Sequence, residues 1–224
     1  MNIRTGRLEA FSDGVIAIII TIMVFDIKFP VVDFHVTRSI VEHDLQLLAP
    51  RLVAYLFSFL VVGILWLNHH HLFHLIQVVD EKLLWLNLHL LFWMSLIPFP
   101  TSMIGSNPML ADSAAVYGAV LTMCSLAFTL MRGYAIRKKL MQQDDKKLNR
   151  EVYKVNRRAR LKNIFGTLAY AAAIPLAYVS VYISFACFCI PPVLFFIPEG
   201  VAGAGEDHPG GDGQESNGEK RDAS

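Results

Sequence analysis

Three groups of polar side chains interrupt the apolar stretches of this 224-residue chain, and each is a place where chemistry could reside. The first is Arg7-Leu8-Glu9-Ala10-Phe11-Ser12-Asp13-Gly14, at the head of a long apolar run. A carboxylate one to two turns inside such a run is neutralised unless a partner holds it. Asp13 therefore admits two readings: a buried network locking helices together, or an ion ligand or proton carrier. The second group is Trp66-Leu67-Asn68-His69-His70-His71-Leu72-Phe73-His74. Successive helical residues point about 100° apart, so His69, His70 and His71 do not all bind one metal. His70 and His74 stand at i, i+4, a spacing that suits Zn²⁺. No Glu is placed as in H-E-x-x-H, and no nucleophile–base pair or metal triad is visible, so neither an enzyme nor a resident metal is expected. The third group is Asn87 with His89, at the start of another apolar run. Cys124, Cys187 and Cys189 lie in apolar surroundings and read as small buried hydrophobes.

The elements that must carry these groups are membrane spans. Hydrophobic residues make up 54% of the chain and charged residues 17%, against roughly 25% charged in a soluble protein. About 20 apolar residues cross a bilayer as a helix, because a helix satisfies its own backbone there. Six stretches qualify: Ala10–Phe29, Pro50–Leu67, Leu83–Ile104, Ala114–Met131, Ile164–Val181 and Ile183–Ile197. Pro50 is expected in a first turn, where its missing N–H is harmless. Pro98-Phe99-Pro100 is expected to break the third span near its end. Residues 164–197 hold no charge, and Pro175, Pro191 and Pro192 argue for two helices with a tight turn near Ser180–Tyr182.

Charge sets direction. Twelve of the 20 Lys and Arg lie between Arg132 and Lys162, against three acidic residues, so segment 132–162 should be cytoplasmic, with room to extend helically from both flanking spans. Four spans precede it, which puts the N-terminus inside too, and six put the C-terminus there. Topogenic charge explains this segment without nucleic acid, and anionic lipid headgroups are a reasonable contact. Residues 199–224 hold 7 of the 19 acids and 7 of the 14 glycines, and read as a disordered acidic tail. The remaining residues 1–198 carry a net +6 and form the membrane domain.

Arg7-x-x-x-Phe11-Ser12-Asp13 resembles the R-x-x-x-F-S-D signature of the transmembrane protein 175 family of endosomal and lysosomal potassium channels and their shorter prokaryotic relatives. The likeness continues through Gly14-Val15-Ile16-Ala17-Ile18 and Thr21, and returns in Trp66–His71, Leu84–Leu88 and Pro98–Thr101. It implies an all-α integral membrane protein of the prokaryotic, single-repeat form: six helices per subunit, a homotetramer, and a pore lined by the first helix. It also implies that the signature residues form an inter-helix polar network. By position these are Arg7, Phe11, Ser12 and Asp13, with partners among His69, His70, His71 and Asn87.

The residues read independently show a seam. Phe11, Val15, Ile18, Ile22, Phe25 and Phe29 are spaced 4, 3, 4, 3, 4, as packing around an axis requires, with Asp13 about 140° from Ile18. The resemblance places the pore constriction at Ile18, Ile22 and Phe25, where relatives usually carry an aliphatic residue in place of Phe25. Thr21 stands at the seam's edge, and its hydroxyl would either form an oxygen layer for selectivity or bond its own helix. The function expected is a potassium channel of the cell membrane, conducting K⁺ without a cofactor. The alternative is a proton-coupled or metal-ion transporter using Asp13 and His69–His71.

Overall fold

The computed structural model describes residues 5–27, 38–141 and 146–196. The expected tail, 199–224, lies outside them, as does Phe29. All secondary structure among the described residues is helical. It comprises α1 (Thr5–Met23, prolonged by a 3₁₀ turn Val24–Asp26), α2 (Arg38–Leu75), α3 (Glu81–Ser95), α4 (Pro98–Ser106), α5 (Ala111–Arg137), α6 (Lys146–Ala177) and α7 (Val181–Phe196). Three of these stretches are long and apolar enough to cross a bilayer by length and composition: Leu48–Leu75, Glu81–Ser106 and Ala111–Arg137. Helix α1 carries Arg7, Glu9 and Asp13 within its 19 residues, and α7 has only 16. A helix nonetheless lies over each of the six expected spans.

Several prolines behave differently from expectation. Pro50 sits inside α2, twelve residues from its start, rather than in a first turn. The break expected at Pro98-Phe99-Pro100 is present, with α3 ending at Ser95 and α4 beginning at Pro98, which takes the first helical position, where no N–H is needed. Across the joint the chain tightens, with Ile97 N–H bonding Met94 O at 3.1 Å and Phe99 N–H bonding Leu96 O at 3.1 Å. Pro175, Pro191 and Pro192 lie within α6 and α7 and break neither. The turn between these two helices is Tyr178-Val179-Ser180, slightly before the expected place. In lipid, neighbouring helices and side chains re-satisfy the groups that a proline frees, so proline is a weaker stop than in water.

Other boundaries follow ordinary chemistry. Asp80 caps α3, its carboxylate accepting from Leu83 N–H at 2.8 Å. The same carboxylate takes the Tyr134 hydroxyl of α5. Helix α5 ends with Lys139 in the left-handed region (φ 55°), and Leu140 N–H returns to Ala135 O at 3.0 Å. The basic segment is helical from both sides, as α5 runs to Arg137 and α6 begins at Lys146.

Helix α5 is the spine. It packs on α3 and α4 along one side and on α6 and α7 along the other, burying Ala114, Leu121, Cys124, Phe128 and Met131. Lipid tails are as apolar as leucine, so close fit rather than water exclusion holds these helices together. Glycine sets the closest approach. A Cβ on Gly105 of α4 would stand 3.0 Å from Arg51 Cα of α2, and backbone does not yield there. Gly105→Val should therefore force α4 from α2 and destabilise the fold by about 1–3 kcal/mol, read as an earlier thermal transition of the purified protein. Helix α1 lies at the edge, against α2, α3 and α4. It buries Leu8, Ser12, Ile16, Ile19 and Met23, and leaves its other face uncovered.

Candidate functional site: the two faces of α1

The inward face of α1 meets α2 and α3 through a directional chain of hydrogen bonds. Ser12 donates from Oγ to Leu8 O at 2.9 Å, within its own helix. Its lone pairs then accept from Asn87 Nδ2 at 2.8 Å. With that amide nitrogen committed, Asn87 Oδ1 is left to accept, and His69 Nε2 faces it at 2.8 Å. The proton therefore resides on Nε2 of His69. All three side chains are fully buried. The His69 ring stacks on Phe73 with centroids 4.3 Å apart, which fixes its plane.

A more open rim flanks this chain. Trp66 donates from Nε1 to Asp13 Oδ1 at 2.9 Å. His70 Nδ1 lies 3.0 Å from Glu9 Oε1, and its ring stacks on Trp66. The arrangement is regular: Glu9, Ser12 and Asp13 of α1 face Trp66, His69 and His70 of α2. Each trio is an i, i+3, i+4 set, the spacing that puts three side chains on one helical face.

The expected network residues thus divide. Ser12, His69 and Asn87 are joined directly. Asp13 faces α2 as expected of a bracing carboxylate, but its partner is Trp66 and not a histidine. His70 faces Glu9. His71 is exposed on another side of α2, the consequence of its 100° step. Arg7 and Phe11 lie on the exposed face of α1, outside the hydrogen-bonded chain. Glu9 and Trp66 are additions to the expected set, and the matching i, i+3, i+4 spacings are the signal that points to both. No three His, Cys, Asp or Glu side chains gather as a metal would need among the described residues.

A second buried relay lies deeper. Thr101 donates to Ile97 O at 2.8 Å, so it accepts from Ser58 at 2.7 Å. Ser58 has then spent its only proton and accepts from the Tyr117 hydroxyl at 2.9 Å. This satisfies every hydroxyl while tying α2, α4 and α5 together. Single hydroxyls give no periodic signal, so the sequence alone does not expose this cluster.

Beyond Arg7, the outward face of α1 is mainly apolar and largely exposed. Phe11, Ile18, Ile22 and Phe25 are 51%, 58%, 47% and 75% exposed on the protomer. Ala10, Gly14 and Ala17 accompany them, and a Cβ at Gly14 would meet nothing within 4 Å. Val15, placed in the same seam, is partly covered. Thr21 donates its hydroxyl to Ile18 O at 2.9 Å, leaving its lone pairs outward.

Comparison with known proteins gives these two faces a context. The profile of a family described as "Endosomal/lysosomal potassium channel TMEM175" matches residues 7–98, a range that holds both faces of α1 and all three members of the buried chain. A potassium channel of Chryseobacterium sp. is 38% identical over 194 residues, which are 87% of this chain and 93% of that protein. A potassium channel of Streptomyces collinus is 35% identical over 181 residues, 79% and 84% of the two chains. The crystal structure of a lysosomal potassium-selective channel TMEM175 homolog from Chamaesiphon minutus superposes with a TM-score of 0.69 at 30% identity, covering 85% of this chain and 95% of that one.

Proposed function

The chain belongs to the TMEM175 potassium-channel family, and on that premise we propose that it is a potassium-permeable channel whose pore is enclosed by α1 helices from four copies. It is a membrane protein and not an enzyme. The observation that carries the pore reading is the split of α1. One face is committed to α2 and α3 by buried hydrogen bonds, and the other presents bulky apolar side chains that stay about half to three-quarters exposed. Small residues beside that face would let neighbouring backbones come close.

In this reading Ile18, Ile22 and Phe25 form stacked apolar rings at the narrowest part. Such a throat closes when water leaves it. A slight rotation of α1 re-wets it and admits a partly hydrated cation. K⁺ is favoured over Na⁺ because it sheds water more cheaply. The rings return few oxygens, so selectivity is modest, and outward lone pairs on Thr21 would add one polar layer. The Phe25 rings contribute π faces that attract a cation. The Ser12–Asn87–His69 chain keeps α1 at its angle without touching the ion. The basic segment 132–162 and both termini face the cytoplasm, and the membrane is the cell membrane.

The transporter alternative asks Asp13 and His69–His71 to share one site near mid-bilayer. Asp13 instead pairs with Trp66, and His69 is spent on Asn87.

Liposomes loaded with KCl and holding the purified protein provide the test. A potassium gradient should drive a voltage of the potassium sign, with single-channel steps in planar bilayers and four subunits per particle by native mass spectrometry. Saturable, pH-driven uptake without unitary currents would instead support the transporter. A folded monomer without flux would remove the shared pore.

A further inference from the structure

On the side of the protomer away from α1, helices α2, α5, α6 and α7 enclose a cavity of about 490 Å³. That lies within the roughly 300–1,000 Å³ typical of small-ligand sites. It is long rather than round. Along α5 its lining runs from Leu121 to Arg132, about 16 Å at 1.5 Å per residue. Its two ends differ in chemistry. The deep end is apolar, formed by Val61, Leu65, Leu121 and Tyr170. The end nearest the basic segment presents Arg132, Lys162, Asn68 and Asn163.

Three further observations bear on what fits. Arg132 is only 4% exposed, its guanidinium 5.0 Å above the Phe128 ring, so a cation is held at the cavity wall within the helix bundle. Asn163 Nδ2 is buried and has no hydrogen-bond partner among the described residues. Among the described lining residues none is Asp or Glu. Ionisable groups at membrane depth face cavities and mark what those cavities take.

The geometry points to a lipid site: one acyl chain of an anionic phospholipid occupies the apolar length, and its phosphate meets Arg132, Lys162 and the Asn163 amide. A neutral lipid brings no net negative charge to this cationic end. A water-soluble anion leaves the apolar length empty. The basic segment beside the mouth concentrates anionic headgroups there. The site is independent of the pore reading, since no α1 residue lines it.

The test uses the full-length protein in detergent and counts bound lipid by native mass spectrometry, with phosphatidylglycerol, phosphatidylcholine and oleate as separate probes. Phosphatidylglycerol should bind in preference to phosphatidylcholine at equal mole fraction. Lys162→Gln should weaken it about fivefold, the effect of one basic group on an anionic headgroup. Gly166→Leu should abolish the binding of every lipid at this site by filling the cavity. Its first added carbon meets Pro191 Cβ at 3.4 Å, an ordinary contact, so the helices need not part. Lys162 is only half-buried, so its variant keeps the test decisive even if Gly166→Leu does not fold. Equal binding of both phospholipids would overturn the site, as would phosphatidylglycerol binding unchanged in both variants, or binding of oleate alone.

Discussion

Liposomes holding the Ile18→Asn variant should pass potassium about tenfold faster than the parent and distinguish K⁺ from Na⁺ less well. Ile18 is 58% exposed, on the face of α1 turned away from the buried residues Leu8, Ser12, Ile16 and Ile19. In a four-fold assembly the substitution puts four amides where four branched hydrocarbons stood. Water that a narrow apolar ring excludes can then remain. A tenfold rise requires the barrier to fall by about 1.4 kcal/mol, less than a good hydrogen bond supplies to an ion. Selectivity falls because a hydrated throat no longer asks the ion to shed water. The readout is the rate of potassium-driven voltage change, with sodium as the comparison cation. Protomer stability should hardly move, since Ile18 lies on the more exposed face of α1 and outside the buried core. Unchanged flux from a stably assembled variant would remove Ile18 from the constriction; a lipid-facing Ile18 would give that result.

Much of this design is legible in the order of the residues alone. A helix steps 100° per residue, so Ser12 and Asp13 on one side and Phe11, Ile18 and Ile22 on the other already define two faces of α1. Buried Ile16, Ile19 and Met23 against exposed Ile18, Ile22 and Phe25 agree with that division. The detail within the polar face is less legible. His69, His70 and His71 are chemically alike, and only the rotation of α2 decides which one enters the core. Charge by itself matches Asp13 with histidine, whereas depth and spacing give it the indole of Trp66. The prolines depart from expectation for a related reason. Pro50, Pro175, Pro191 and Pro192 read as boundaries by the rules of water-exposed helices, yet all four lie inside helices. Local propensity yields when neighbouring helices supply the missing bonds.

The same buried chain makes Asn87→Leu the substitution with the largest effect on stability. Leucine keeps the branching and the number of heavy atoms, though it is bulkier, and removes two hydrogen bonds at once, those to Ser12 and to His69. Ser12 keeps its donation to Leu8 O and loses only an incoming proton. His69 fares worse, because its Nε2–H is then buried against hydrocarbon with no acceptor. Helix-bridging bonds in membranes are worth roughly 0.6–1.7 kcal/mol each, and an orphaned buried donor adds a further penalty, so a loss of about 2–4 kcal/mol is expected. Ser12→Ala, which takes away one acceptor, should cost about 1 kcal/mol. The decisive comparison is the double variant Asn87→Leu with His69→Phe. Phenylalanine leaves no polar atom behind and retains the stack on Phe73, so much of the lost stability should return. Thermal transitions of the four proteins in one detergent measure this directly. Equal losses for Asn87→Leu and the double variant would mean that shape alone, and not the directed chain of donors, holds α1 to α2 and α3.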